Sequence, residues 1–91
     1  MNEERRCDAA ARRVLVAVLD ERDHQRNRWS PEQDVLHSHF EWITVLSGWL
    51  GKAATCAIGG DAAGLRKRLV QVTAIGLAAI EAIDREPKPK G

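Results

Sequence analysis

From His39 to Arg85 the chain carries one strong break, Gly59-Gly60-Asp61, and that break dictates a helical hairpin. Two adjacent glycines supply the positive-φ residues that end a helix, and the aspartate that follows can cap the next one. On the upstream side, from His39 to Ile58, Trp42, Leu46, Trp49, Leu50, Ala53 and Ala57 recur at helical spacing, flanked by Ile43 and Val45. On the downstream side, from Ala62 to Arg85, Leu65, Leu69, Val72, Gly76, Ile80 and Ile83 form one seam, while Val70, Ile75 and Leu77 fall elsewhere. Glu81 and Arg85 make a favourable i,i+4 pair near the end of that helix. Pro87 and Pro89 then stop it, leaving 87–91 as a flexible tail. Gly48 and Gly51 inside the upstream helix point to close approach by a neighbour or to an inherited tolerance.

Upstream of the hairpin, Cys7, Ala11, Val14, Leu15, Val18 and Leu19 define an apolar stripe on a helix from Glu3 to Arg26. A polar connection follows from Asn27 to Ser38. Within it, Ser30-Pro31-Glu32-Gln33 has the serine, first-turn proline and third-position glutamine of a helix start, so a short connecting helix is expected. No strand alternation, internal repeat or low-complexity segment occurs. The fold class is therefore all-α: a small bundle of three main helices plus a short connecting helix, in one domain over residues 1–86. From Leu69 to Ile80 the last helix is apolar almost all round, which a 91-residue chain cannot easily cover. Homo-oligomerisation, as a dimer or higher assembly, is expected to complete the bundle.

Two cysteines, Cys7 and Cys56, are too few for a disulfide framework and read as buried free thiols. The first six residues lack the basic and apolar regions of a signal peptide. The run from Leu69 to Ile80 is too short to span a bilayer. A soluble, cytoplasmic protein with no membrane partner is expected. A net charge of +1 gives no reason to expect nucleic-acid binding. The local balance is more telling: residues 42–80 hold four cations, Lys52, Arg66, Lys67 and Arg68, against the single carboxylate of Asp61.

Three stretches carry a family resemblance. Glu21-Arg22-Asp23-His24-Gln25-Arg26-Asn27-Arg28-Trp29, Phe40-Glu41-Trp42-Ile43-Thr44-Val45-Leu46 and Leu65-Arg66-Lys67-Arg68-Leu69-Val70-Gln71-Val72 occur in the order and at the spacings of one pattern. Together they resemble the MazG-like branch of the all-α nucleoside triphosphate pyrophosphohydrolases, over roughly residues 14–85. The resemblance implies that paired acidic side chains on two helices hold Mg²⁺, a hard cation that prefers oxygen ligands. The metal there neutralises the triphosphate and activates water. In this chain the corresponding positions are Trp49, Lys52, Arg68 and Gln71. Three glutamates and a glutamine would carry −3, whereas these four side chains carry +2. Family-type metal catalysis is not expected, and Mg²⁺ would be a cofactor only if acids came from elsewhere.

The expected function is a catalytically degenerate helical binding or assembly module that retains metal-independent affinity for a nucleotide or another small anion. Lys52 and Arg68 would grip the anion, with Gln71 and Trp29 completing the pocket. The bland alternative has both cations reaching along the helices to solvent. Trp49 would fill the former metal cavity. Trp29 and Trp42 match family positions near the nucleotide pocket, although interhelical packing is the commoner role for tryptophan. His37 and His39, two apart, do not share a helix face and read as loop or capping residues, as does His24. Ser47 and Thr55 have no evident base to activate them. Two alternatives stand beside this reading. One is an active pyrophosphohydrolase with ligands from a partner subunit or from Glu32, Asp34 and Glu41. The other is a pocket opened to an apolar small ligand.

Overall fold

The computed structural model describes residues 8–28 and 37–87, which contain three α-helices. They are α1 (Ala9–Arg28), α2 (His39–Ile58) and α3 (Ala62–Asp84), and the described residues contain no strand. The all-α expectation holds. The short helix expected at Ser30-Pro31, the Cys7 thiol and the end of the tail lie outside the described residues.

Each boundary has a local cause. α1 begins at Ala9, where the Asp8 carboxylate accepts the Ala11 amide at 2.9 Å and caps the first turn, and the expected start at Glu3 lies outside the described residues. It runs on to Arg28, two residues past the expected end. α2 opens with a capping box: the Ser38 hydroxyl accepts the Glu41 amide at 3.1 Å, and Glu41 accepts the Ser38 amide at 2.7 Å. The bond from the Ser38 backbone amide first, and the Ser38 hydroxyl after it, hold the Glu41 carboxyl below its usual range. α2 closes in a Schellman turn, with the Asp61 amide donating to the Cys56 carbonyl and the Gly60 amide to the Ala57 carbonyl. Only Gly60 needs a positive φ, at 73°; Gly59 stays right-handed at −80°. Asp61 then caps α3 by accepting the Gly64 amide at 2.9 Å.

The Gly59–Asp61 turn folds α3 back against α2, and α1 also packs against α3. Because α3 has two neighbours, two of its faces are covered. Its buried residues are Ala74, Ile75, Ala78, Ala79 and Ala82. Ile75, Ala78, Ala79 and Ala82 form the core cluster with Trp42, and Leu46 and Trp49 pack against it. The expected seam through Leu69, Ile80 and Ile83 is corrected: these three are exposed, and the interface is built on the alanine face instead. Small side chains let the backbones approach, and the bulk comes from Trp42 across the gap. In α2 the covered line runs Trp42, Leu46, Trp49, Ala53, Cys56, while Leu50 and Ala57 are exposed. A Cβ at Gly48 or Gly51 would meet nothing within 4 Å, so neither marks a close approach.

α1 departs most from its expected pattern. Its buried residues are Val18, Arg22 and Gln25, whereas Val14, Leu15 and Leu19 are about half exposed. Among the described residues only one narrow line of this helix is buried, and the wider apolar stripe is left exposed. The radius of gyration, 15.5 Å, exceeds the roughly 12 Å of a compact chain of this length. Among the described residues no large side chain is fully buried.

Candidate functional site

Trp49 and Lys52 sit three residues apart on α2, and Arg68 and Gln71 three apart on α3. That spacing puts each pair on one helix face, and the hairpin brings the faces together. Lys52 Nζ lies 4.2 Å from the centroid of the Trp49 ring and the Arg68 guanidinium carbon 5.7 Å from it. Both cations therefore rest on one indole, whose electron-rich face attracts them. Arg68 also donates to Gln71 Oε1 at 3.2 Å, which orients its fork. Among the described residues neither Lys52 nor Arg68 has a carboxylate partner. Trp49 is half-buried and packs against the core. Three of the four residues expected to form the pocket are thus brought together; the fourth, Trp29, lies outside the described residues.

A second polar group joins α1 to α3. Arg22, 3% exposed, donates to Glu81 Oε1 at 2.8 Å, and Arg26 reaches the same carboxylate at 3.4 Å. The Arg22 hydrogen bond is the main cause of a Glu81 pKa below the ordinary carboxylate range. The expected Glu81–Arg85 pair is corrected accordingly: Glu81 turns across the interface, and the Arg85 amide caps the end of α3. Gln25 donates to Glu21 Oε2 at 3.1 Å and to the Gln71 carbonyl at 3.4 Å. Arg22 and Gln25 were not expected inside. Their signal was the continuation of the Val18 line at four- and then three-residue spacing, where polar residue types suggest a solvated face.

Beside Gln25 lies a cavity of about 200 Å³, bounded by Arg22, His37, Trp42, Val45, Ile75 and Ala78. The His37 ring stands edge-on to Trp42, with centroids 5.0 Å apart and planes at 81°. His39 contacts Glu86 Oε2 at 2.8 Å and ties the start of α2 to the end of α3. No group of three or more histidine, cysteine or acidic side chains suited to a metal occurs among the described residues. Glu41 is committed to its cap, and Glu32 and Asp34 lie outside the described residues. No described helix is long and apolar enough to cross a membrane.

The chain matches no family model, no curated protein and no solved structure. The MazG-like resemblance therefore stands on the three sequence stretches alone.

Proposed function

We propose that the chain is a catalytically degenerate, MazG-like helical module that assembles with copies of itself and binds a small anion, such as a nucleotide phosphate, without a metal. The observation that carries this reading is the Lys52–Trp49–Arg68 stack. Two cations share one aromatic platform at the interhelical position that the resemblance assigns to metal-binding acids. They have no carboxylate among the described residues to neutralise them, and Gln71 holds the guanidinium in a fixed direction. A phosphate or carboxylate would supply the missing negative charge through charge-assisted hydrogen bonds. The same two charges oppose a divalent cation at that position.

Assembly is supported by the apolar surface. Val14, Leu15 and Leu19 on α1 and Leu69, Ile80 and Ile83 on α3 are all more than two-fifths exposed. Isolated apolar side chains on a surface are ordinary, but faces this extensive on so small a core are not. A second copy of the chain would bury them.

Isothermal titration with pyrophosphate and with a deoxynucleoside triphosphate, in EDTA, tests the anion site. Binding that falls at least about tenfold in Lys52→Glu/Arg68→Glu supports the reading. Unchanged affinity overturns it. Metal-dependent pyrophosphate release by the purified protein would overturn the degenerate assignment. A monomer at all concentrations in sedimentation equilibrium would overturn the assembly.

A further inference from the structure

Resting on the assembly reading above, we infer that the outer face of α3 is a two-fold, antiparallel interface with a second copy of the chain, the two helices crossing at Gly76.

Within the chain α3 meets its neighbours through its alanine face, which leaves Leu69, Val72, Gly76, Ile80 and Ile83 as a seam on the other side. Leu69, Ile80 and Ile83 are exposed, and Val72 and Gly76 are half-buried. From Leu69 to Ile83 the one charged residue of α3 is Glu81, which turns to α1. The seam is nearly palindromic about Gly76: Leu69 and Ile83 lie seven residues to either side of it, and Val72 and Ile80 lie four. In a two-fold pair centred there, Leu69 meets the partner's Ile83 and Val72 meets the partner's Ile80, so apolar side chains face apolar ones. A Cβ at Gly76 would meet nothing within 4 Å, so the missing side chain makes room for no neighbour in the chain. At the midpoint of the seam it suits the close crossing of a second helix. Beside the seam a groove of about 320 Å³, lined by Val14, Leu65, Leu69 and Thr73, opens where the partner's Ile83 would arrive.

Charge selects the partner and the direction. Arg66 and Asp84 flank the two ends of the seam, both exposed and without an ion-pair partner among the described residues. Eighteen residues apart, five turns at about 3.6 residues each, they lie on one flank of the helix. Like flanks face each other in an antiparallel pair, so Arg66 meets the partner's Asp84 at one end and Asp84 meets the partner's Arg66 at the other. They stand ten residues before the midpoint and eight after it, an axial mismatch of about 3 Å that an arginine side chain spans. A parallel pair would set each of these charges against its own copy. An unrelated apolar helix could cover the seam, but a second copy matches both the palindrome and the mirrored charges by symmetry.

Sedimentation equilibrium of the full chain, with circular dichroism to follow folding, tests the interface. The parent should be a dimer. Gly76→Glu sets two carboxylates together at the two-fold axis and should weaken dimerisation at least about a hundredfold, while helicity holds because glutamate favours a helix more than glycine does. Arg66→Asp or Asp84→Arg alone places like charges at both ends and should weaken it about tenfold. Combining the two, Arg66→Asp/Asp84→Arg, should bring affinity back to within about threefold of the parent. A monomeric parent would overturn the assembly reading and this interface with it. A dimeric parent indifferent to Gly76→Glu, or a double swap no tighter than either single one, would overturn the interface alone and leave assembly standing. Should Gly76→Glu fail to fold, the charge swaps decide, since they alter exposed groups that hold nothing inside the chain.

Discussion

At Glu81 two arginines from α1 meet one carboxylate, whereas at Arg68, earlier on the same helix, two cations meet an indole and no described carboxylate. The first group is satisfied within the chain: the buried guanidinium of Arg22 has its counterion, and Arg26 adds a weaker contact at the rim. The second group is held in place and keeps its charge. Cation–π contact fixes where Lys52 and Arg68 sit without neutralising them. The contrast separates charge used to join helices from charge left to meet something else.

The largest effect is expected where the joining group is broken. Glu81→Ala leaves Arg22 buried without its carboxylate and should cost about 3 kcal/mol in urea denaturation. The double variant Arg22→Met/Glu81→Leu should recover most of that loss, because an apolar pair needs no counterion. A loss below about 1 kcal/mol for the single variant would mean that the pair does not hold α1 to α3, and the contrast would fail.

Acid should find the same group. The Glu81 carboxyl titrates below its ordinary value of 4.5 when folded, chiefly because Arg22 donates to it. A depressed folded pKa means that its stabilisation is complete above the unfolded value and is lost as pH falls through the folded one. Denaturation midpoints measured from pH 6 downward should therefore decline below about 4.5, and Glu81→Gln should flatten that decline. The slope that remains should shrink further in Glu41→Gln, since Glu41 is depressed chiefly by the bond it accepts from the Ser38 backbone amide. The cation stack contains no carboxyl and should add nothing to this acid response.

The two groups also differ in how far the sequence announced them. The bounds of α2 matched the expectation at both ends because glycines and a capping aspartate punctuate the hairpin. Lys52, Arg68, Trp49 and Gln71 were legible as one cluster only through the resemblance, which assigns these four positions to facing sites on two helices. Arg22 and Gln25 were hidden by their chemistry: polar residues on the Val18 line suggest a solvated face until α3 is seen to cover them. The alanine face of α3 was hidden for a related reason. A helix with two neighbours buries its small residues where backbones approach, and alanine gives a weaker hydrophobic signal than Leu69 or Ile80. Ser38 and Glu41 were legible as a capping box and were overlooked, although the start at His39 that they fix was expected.

A smaller effect would make the second group resemble the first. Arg68→Glu places a carboxylate beside Lys52 on the Trp49 platform. The loss of one cation–π contact and the gain of a partly exposed ion pair should nearly cancel, leaving stability within about 1 kcal/mol of the parent. Anion affinity should nevertheless fall by at least about tenfold, since the new carboxylate occupies Lys52 and repels the ligand. Stability and binding would then be separable at this position, as they are not at Glu81.

The smallest expected change is the most specific. Lys52→Met keeps an unbranched chain over Trp49 and removes only the ammonium, so thermal denaturation should show a loss of about 0.5 kcal/mol or less. The comparison of interest is its salt dependence. Lys52 is exposed, so its interactions should be screened as ionic strength rises, whereas the buried Arg22–Glu81 contact should respond much less. Pyrophosphate titrations of the parent at low and high salt should therefore show affinity declining, and Lys52→Met should weaken that decline because one of its two cations is gone. A parent affinity that ignores salt would place the anion away from Lys52 and Arg68. In that case the stack would be a packing device, equivalent in purpose to the Glu81 group and different only in the partner it uses.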